Sequence, residues 1–159
     1  MTGKLRLATA ADAAALADLN AEVQALHAAL SPALYLTVAD RAAVTAYFSE
    51  ALQKRENEVA LFVTADGIVG YVLIECQCRD ATAFTPPWRR LYIHHLTVAK
   101  RARRQGVATA LMQWAESRAR ELGIDVLVLD HVANNPEAGS FYDHLGFEPV
   151  RVTRLKTLA

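Results

Sequence analysis

Cysteine is scarce in this chain, with two in 159 residues. That excludes a disulfide-stapled secreted scaffold and leads us to expect a reducing compartment, read as the cytoplasm. Net charge is missing too, because 17 Lys and Arg are matched by 17 Asp and Glu, which argues against a general nucleic-acid binder. No apolar run approaches the ~20 residues of a membrane helix, and Asp12 and Asp18 follow the N-terminal residues too closely for a signal peptide. Neither a P-loop nor a G-x-G-x-x-G fingerprint is present. Acidic residues are absent from 81–115, a stretch that carries Arg89, Arg90, Lys100, Arg101, Arg103 and Arg104. A local basic site in a neutral protein suits a compact anionic ligand better than a long polyanion.

What is present is enough for one folded domain over 1–159. Hydrophobic residues make up 53% and charged residues 21%, so a chain of this length can bury a core without metal or disulfide. Periodicity predicts a strand over 4–8, after which Thr9 and Asp12 resemble a capping box. A helix follows, with Leu16, Leu19, Val23, Leu26 and Leu30 at helical spacing. A second helix, capped by Asp40, is expected to reach about Arg55. Strands are expected over 59–64 and 68–76 with a hairpin at Asp66-Gly67, and then over 91–98. A helix over 106–122 stops at Gly123, a strand buried on both faces covers 124–129, a helix starts at Asn135-Pro136, and a last strand spans 147–155.

The segment Arg103-Arg104-Gln105-Gly106-Val107-Ala108 joins a strand to a helix through a basic turn. Unpaired amides and the helix dipole make such a start a phosphate site, and the small residues Gly106 and Ala108 let a ligand approach the backbone. The pattern Arg103-x-x-Gly106-x-Ala108 resembles the R/Q-x-x-G-x-G/A signature of the GNAT superfamily of N-acetyltransferases. Further on, Asn135-x-x-Ala138-x-x-Phe141-Tyr142-x-x-x-Gly146-Phe147 is similar to that family's N-x-x-A-x-x-F/L-Y-x-x-x-G-F run. The match is specific downstream of about Leu91. Upstream of that it rests on element order.

The resemblance implies an α/β (α+β type) fold, a mixed sheet of about six strands flanked by about four helices, with two parallel strands that splay in the middle. It implies acetyl-CoA as acyl-donor cosubstrate and direct transfer to an amine, of a small molecule or a protein, in a ternary complex. Carried over by position, the backbones of Leu96 and Val98 would pair with pantetheine. The segment Arg103, Arg104, Gln105, Gly106, Val107 and Ala108 would hold the pyrophosphate, and Asn135 would face the pantetheine or acetyl end as well as cap its helix. Tyr142 matches the general acid. For the base, His94 and then Glu75 are the candidates, the remaining alternative being that no single base is needed. On a regular strand His94 and His95 face opposite sides, with His94 sharing parity with Leu96 and Val98, unless a bulge of the kind common in the family intervenes.

Other features weigh less. Cys76-x-Cys78 lacks a second pair at zinc spacing, so no metal is expected. His131 and Trp88 are candidates for acceptor contact, and Arg89 and Arg90 would suit an acceptor carboxylate if they face the cleft. No membrane or nucleic-acid partner is expected, while a homodimer is compatible with the family. The alternative function is a module that binds acetyl-CoA as a sensor without transferring the acetyl group.

Overall fold

The computed structural model describes residues 2–158. One five-stranded sheet has the order β1 (Lys4–Leu7), β2 (Asn57–Thr64), β3 (Gly67–Arg79), β4 (Trp88–Val98), β5 (Leu127–Leu129). Neighbours are antiparallel except β4 and β5, which run parallel. The helices are α1 (Ala13–Leu30), α2 (Arg41–Ala51), α3 (Val107–Glu121) and α4 (Pro136–His144).

The two-residue period of the strands builds two cores. Ala60, Phe62, Val72, Ile74, Leu91 and Ile93 face α3, packing on Val107, Leu111, Met112 and Ala115. Val59, Leu61, Tyr71 and Leu73 face the other way, onto Leu16, Leu19 and Phe48 of α1 and α2. Burying one such side chain contributes about 1.5–3 kcal/mol, so both faces of the sheet are pinned by burial alone. Gly70 lets α3 sit this low, since a Cβ there would lie 2.9 Å from the Thr97 carbonyl oxygen and 3.0 Å from Val107 Cγ1.

Local signals work as expected at most ends. The Asp12 carboxylate accepts from the Thr9 amide, the Thr9 hydroxyl and Arg6. Asp40 and Asn135 cap α2 and α4 through Ala42 N and Ala138 N. Gly123 ends α3 at φ +64°.

Four expectations need correction. The sheet has five strands among the described residues, not about six, because 147–155 forms no ladder and leaves Val150 and Val152 exposed. A strand needs an edge to pair with, and the three residues of β5 offer few free backbone groups. The expected strand over 124–129 is limited to Leu127–Leu129 and is half-buried. It lies at the sheet edge, and Ile124 instead closes the end of α3 through Ala119 O. Helix α2 ends at Ala51 rather than near Arg55. The hairpin turn falls on Ala65-Asp66, and Gly67 opens β3 at φ +100°.

Candidate functional site

The basic turn is held from three sides. Ala99 N donates to Val69 O, Lys100 N donates to Glu22 of α1 at 2.8 Å, and Arg103 Nε donates to Val98 O at 3.2 Å. Arg103 is therefore turned back onto the strand end, while Arg104 is exposed and reaches Glu137 at 3.3 Å. Arg104 adopts φ +58° and Gly106 φ +80°. For arginine that conformation costs about 1–2 kcal/mol, and it is maintained in a turn fixed at both ends. Left-handed residues at a helix start fold successive amides into a concave anion nest. Gly106 itself caps α3, so the amides of Val107 and Ala108 open the first turn.

A gap opens beside this turn. Strands β4 and β5 pair only from Leu91 to Ile93 with Leu127 to Leu129. Beyond Ile93, β4 continues to Val98 against β3 alone. Backbone groups of an antiparallel strand alternate in direction, and Ala99 N points at β3. The backbones of Leu96 and Val98 therefore point into the gap. Their side chains pack toward the α3 core. Across the gap, Asn135 accepts from Ala138 N at 3.1 Å. Tyr142 lies on α4 against His131, Phe141 and Phe147, with ring centroids 5.5–5.9 Å away. Burial raises the Tyr142 phenol above its ordinary range, which keeps it protonated at neutral pH.

Strand β4 carries a bulge at the point where the gap begins. Leu73 pairs with His95 and Ile74 with Ile93, so His94 is the extra residue. The bulge overturns the parity expectation: His94 and His95 lie on the same α1–α2 side, opposite the side chains of Leu96 and Val98. Their surroundings still differ. His94 Nε2 lies 2.7 Å from Glu75 Oε2, and Nδ1 has no hydrogen bond among the described residues. Glu75 also accepts from Gln77 at 2.6 Å. Partial burial works against its charged form, but the bonds from Gln77 and His94 outweigh that and hold its pKa below the ordinary value. His95 sits under α2, stacked on Tyr47 and edge-on to Phe48. Burial lowers its pKa to about 4. Tyr71, itself pushed up to about 12 by burial, accepts from Asn20 at 3.0 Å and lies 3.2 Å from His95 Nδ1.

Sequence reasoning missed Asn20, Tyr71, Gln77, Tyr92 and Asp130. Tyr92 donates to Asp130 and stands edge-on to His94. The alternation Trp88, Arg90, Tyr92 on one strand was the available signal. Asn20 and Tyr71 left none, being 51 residues apart. Cys76 and Cys78 are free thiols, and among the described residues no group of three His, Cys, Asp or Glu could hold a metal.

A splayed parallel pair beside a glycine-capped basic turn leaves a gap lined by main chain, and comparison with known proteins places this architecture in a family. The profile of the acetyltransferase (GNAT) family matches residues 22–147. The chain belongs to that family. It is 36% identical over 67 residues to GCN5-related N-acetyltransferase 6, chloroplastic, of Arabidopsis thaliana; this covers 42% of the chain and 23% of the relative, so the chain matches about a quarter of that protein's length. The fold is similar to that of a tetramutant of the BH1408 protein from Bacillus halodurans, with TM-score 0.89 and 22% identity over 98% of this chain and 99% of that one. It is also similar to an aminoglycoside N-acetyltransferase, AAC(6')-Iy, in complex with CoA, with TM-score 0.74 and 16% identity over 99% and 96% of the two chains.

Proposed function

We propose that this protein moves the acetyl group of acetyl-CoA directly to an amine within a ternary complex. The observation that carries the reading is the turn from Ala99 to Val107, whose left-handed Arg104 and Gly106 aim a helix start beside an open strand gap. The residues present fit the donor. The amides of Arg104 to Ala108 would hold the pyrophosphate, the backbones of Leu96 and Val98 would pair with the pantetheine, and Asn135 would face that arm from the opposite wall.

The chemistry asked of the protein is modest. A primary amine of pKa ~10.4 must lose a proton, at a cost of about 4.6 kcal/mol at pH 7. Glu75 orients His94 by accepting from Nε2, which leaves Nδ1 to take that proton. An amide of β4 near Leu96 stabilises the charge that develops on the thioester oxygen. Tyr142 donates its phenolic proton to the departing thiolate. Glu75 is an orienting carboxylate in this scheme, since it is already ionised and bonded on two sides. The same reading extends to a cytoplasmic enzyme acting on a small-molecule or protein amine.

Thermal unfolding with acetyl-CoA, with NAD and ATP as controls, tests the donor. Ligand at 100 times its Kd adds about 2.7 kcal/mol, which should raise Tm by roughly 5–11 °C. Absence of a shift at millimolar acetyl-CoA would sink the reading. A shift without CoA release, whatever the amine, would instead identify a sensor module.

A further inference from the structure

The α1–α2 side of the sheet carries a hydrogen-bonded row that the transfer chemistry does not use in full. Arg90 Nε donates to Gln77 Oε1 at 2.9 Å, Gln77 Nε2 donates to Glu75 at 2.6 Å, and Glu75 meets His94 at 2.7 Å. Gln77 is thereby oriented at both ends, its carbonyl toward the cation and its amide toward the carboxylate. Arg90 is fixed further by aromatic rings: its guanidinium carbon lies 4.4 Å from the centre of Trp88 and 5.4 Å from that of Tyr92.

Arg90 is half-buried, and neither terminal nitrogen of its guanidinium bonds any described residue. Arg103 is also half-buried and bonded through Nε alone, but it is turned back onto Val98 O at the end of β4, away from His94 and Glu75 in the sheet. The other well-fixed arginines have their terminal nitrogens occupied. Arg6, Arg41 and Arg118 each hold a carboxylate, and Arg89 spends its reach on Leu122 O, beside the end of α3. A rigid, partly desolvated guanidinium with its forked end free is the usual receptor for a carboxylate.

We propose that Arg90 anchors a carboxylate of the acceptor, so that the acceptor is a zwitterion with its amine at His94 and its carboxylate at Arg90. This rests on the transfer reading above. The ladder sets the length. On β4 Arg90 and His94 are four residues apart across the bulge, but Arg90 leans onto Gln77 and His94 onto Glu75, and those two partners are one two-residue step apart on β3, about 7 Å. Two extended residues span about the same distance. The acceptor class is therefore a dipeptide-length amino acid, and an α-amino acid is too short to reach both ends.

Rates of CoA release with glycine, γ-aminobutyrate and ε-aminocaproate, each beside its neutral carboxamide, test this in the full-length protein. The expected result is a carboxylate preference of at least ~10-fold in kcat/KM, greatest for ε-aminocaproate. Arg90→Gln should bring the acid-to-amide ratio close to one, and Arg90→Lys should restore part of it. Arg89→Gln should keep the wild-type ratio. Melting curves of each variant exclude misfolding as the cause. Equal rates for acid and amide in the wild type, or a preference that survives Arg90→Gln, would overturn the assignment. Turnover of other amines without turnover of any of these acids would overturn it while leaving transfer intact. Failure with every amine, together with no thermal shift from acetyl-CoA, would remove the transfer reading and this one with it.

Discussion

The two sides of the sheet are built from different materials. On the α3 side the candidate donor site consists almost wholly of main chain: amides of a turn, backbone of β4 and the start of α3. On the α1–α2 side the candidate acceptor site consists of side chains: Glu75, Gln77, Arg90, Tyr92, His94 and His95. A main-chain site depends on conformation and tolerates sequence change wherever the backbone angles survive. A side-chain site depends on identity, and each residue in it can be tested singly.

The largest effect that would break this contrast is at His94. His94→Ala should lower turnover about 10²-fold or more and remove the acidic limb of the pH–rate profile; an unchanged profile would take the base role away from it. Tyr142→Phe should lower turnover at least ~10-fold with Tm unchanged, measured by CoA release.

On the main-chain side the expected effects fall on stability and donor binding. Gly70→Ala should destabilise by about 1–3 kcal/mol, because the new methyl group meets the Thr97 carbonyl and Val107. It should also weaken acetyl-CoA binding by displacing the start of α3, as calorimetry would show. Gly106→Ala should cost about 1 kcal/mol, all of it from φ +80°, since no atom beyond its chain neighbours lies within 4 Å of the added carbon. Urea denaturation separates these two.

His95 sharpens the contrast between the histidines. Its folded pKa of about 4 lies below the ordinary 6.5. The unfolded chain therefore binds the extra proton between those values. Stability from the buried neutral ring is complete above about pH 6.5 and is lost as pH falls toward 4. Tm should fall over that window in the wild type and fall less steeply in His95→Gln.

Much of the candidate donor side can be laid out from the sequence because its signals are local. Gly106 after a basic run, Asn135 before Pro136 and Tyr142 at fixed spacing lie within one turn or one helix, where chain geometry leaves few options. The acceptor side was legible only in part. His94 and Glu75 were recognisable as candidates, but their 2.7 Å contact depends on a bulge that inverts the parity of β4. The last strand failed for a related reason. Residues 147–155 alternate well enough to be strand, yet pairing is a property of two segments, and β5 presents only three residues.

The sequence by itself determined the order of elements as far as the last helix and the turn that marks the family, because periodicity, caps and glycine positions act over a few residues. Only the tertiary structure decided which charged side chains meet. It put His94 beside His95 on one side of the sheet, turned Arg103 inward, and separated Arg90 from Arg89. The placement of the two histidines follows from a single inserted residue, because a one-residue change in register moves every following side chain to the other face.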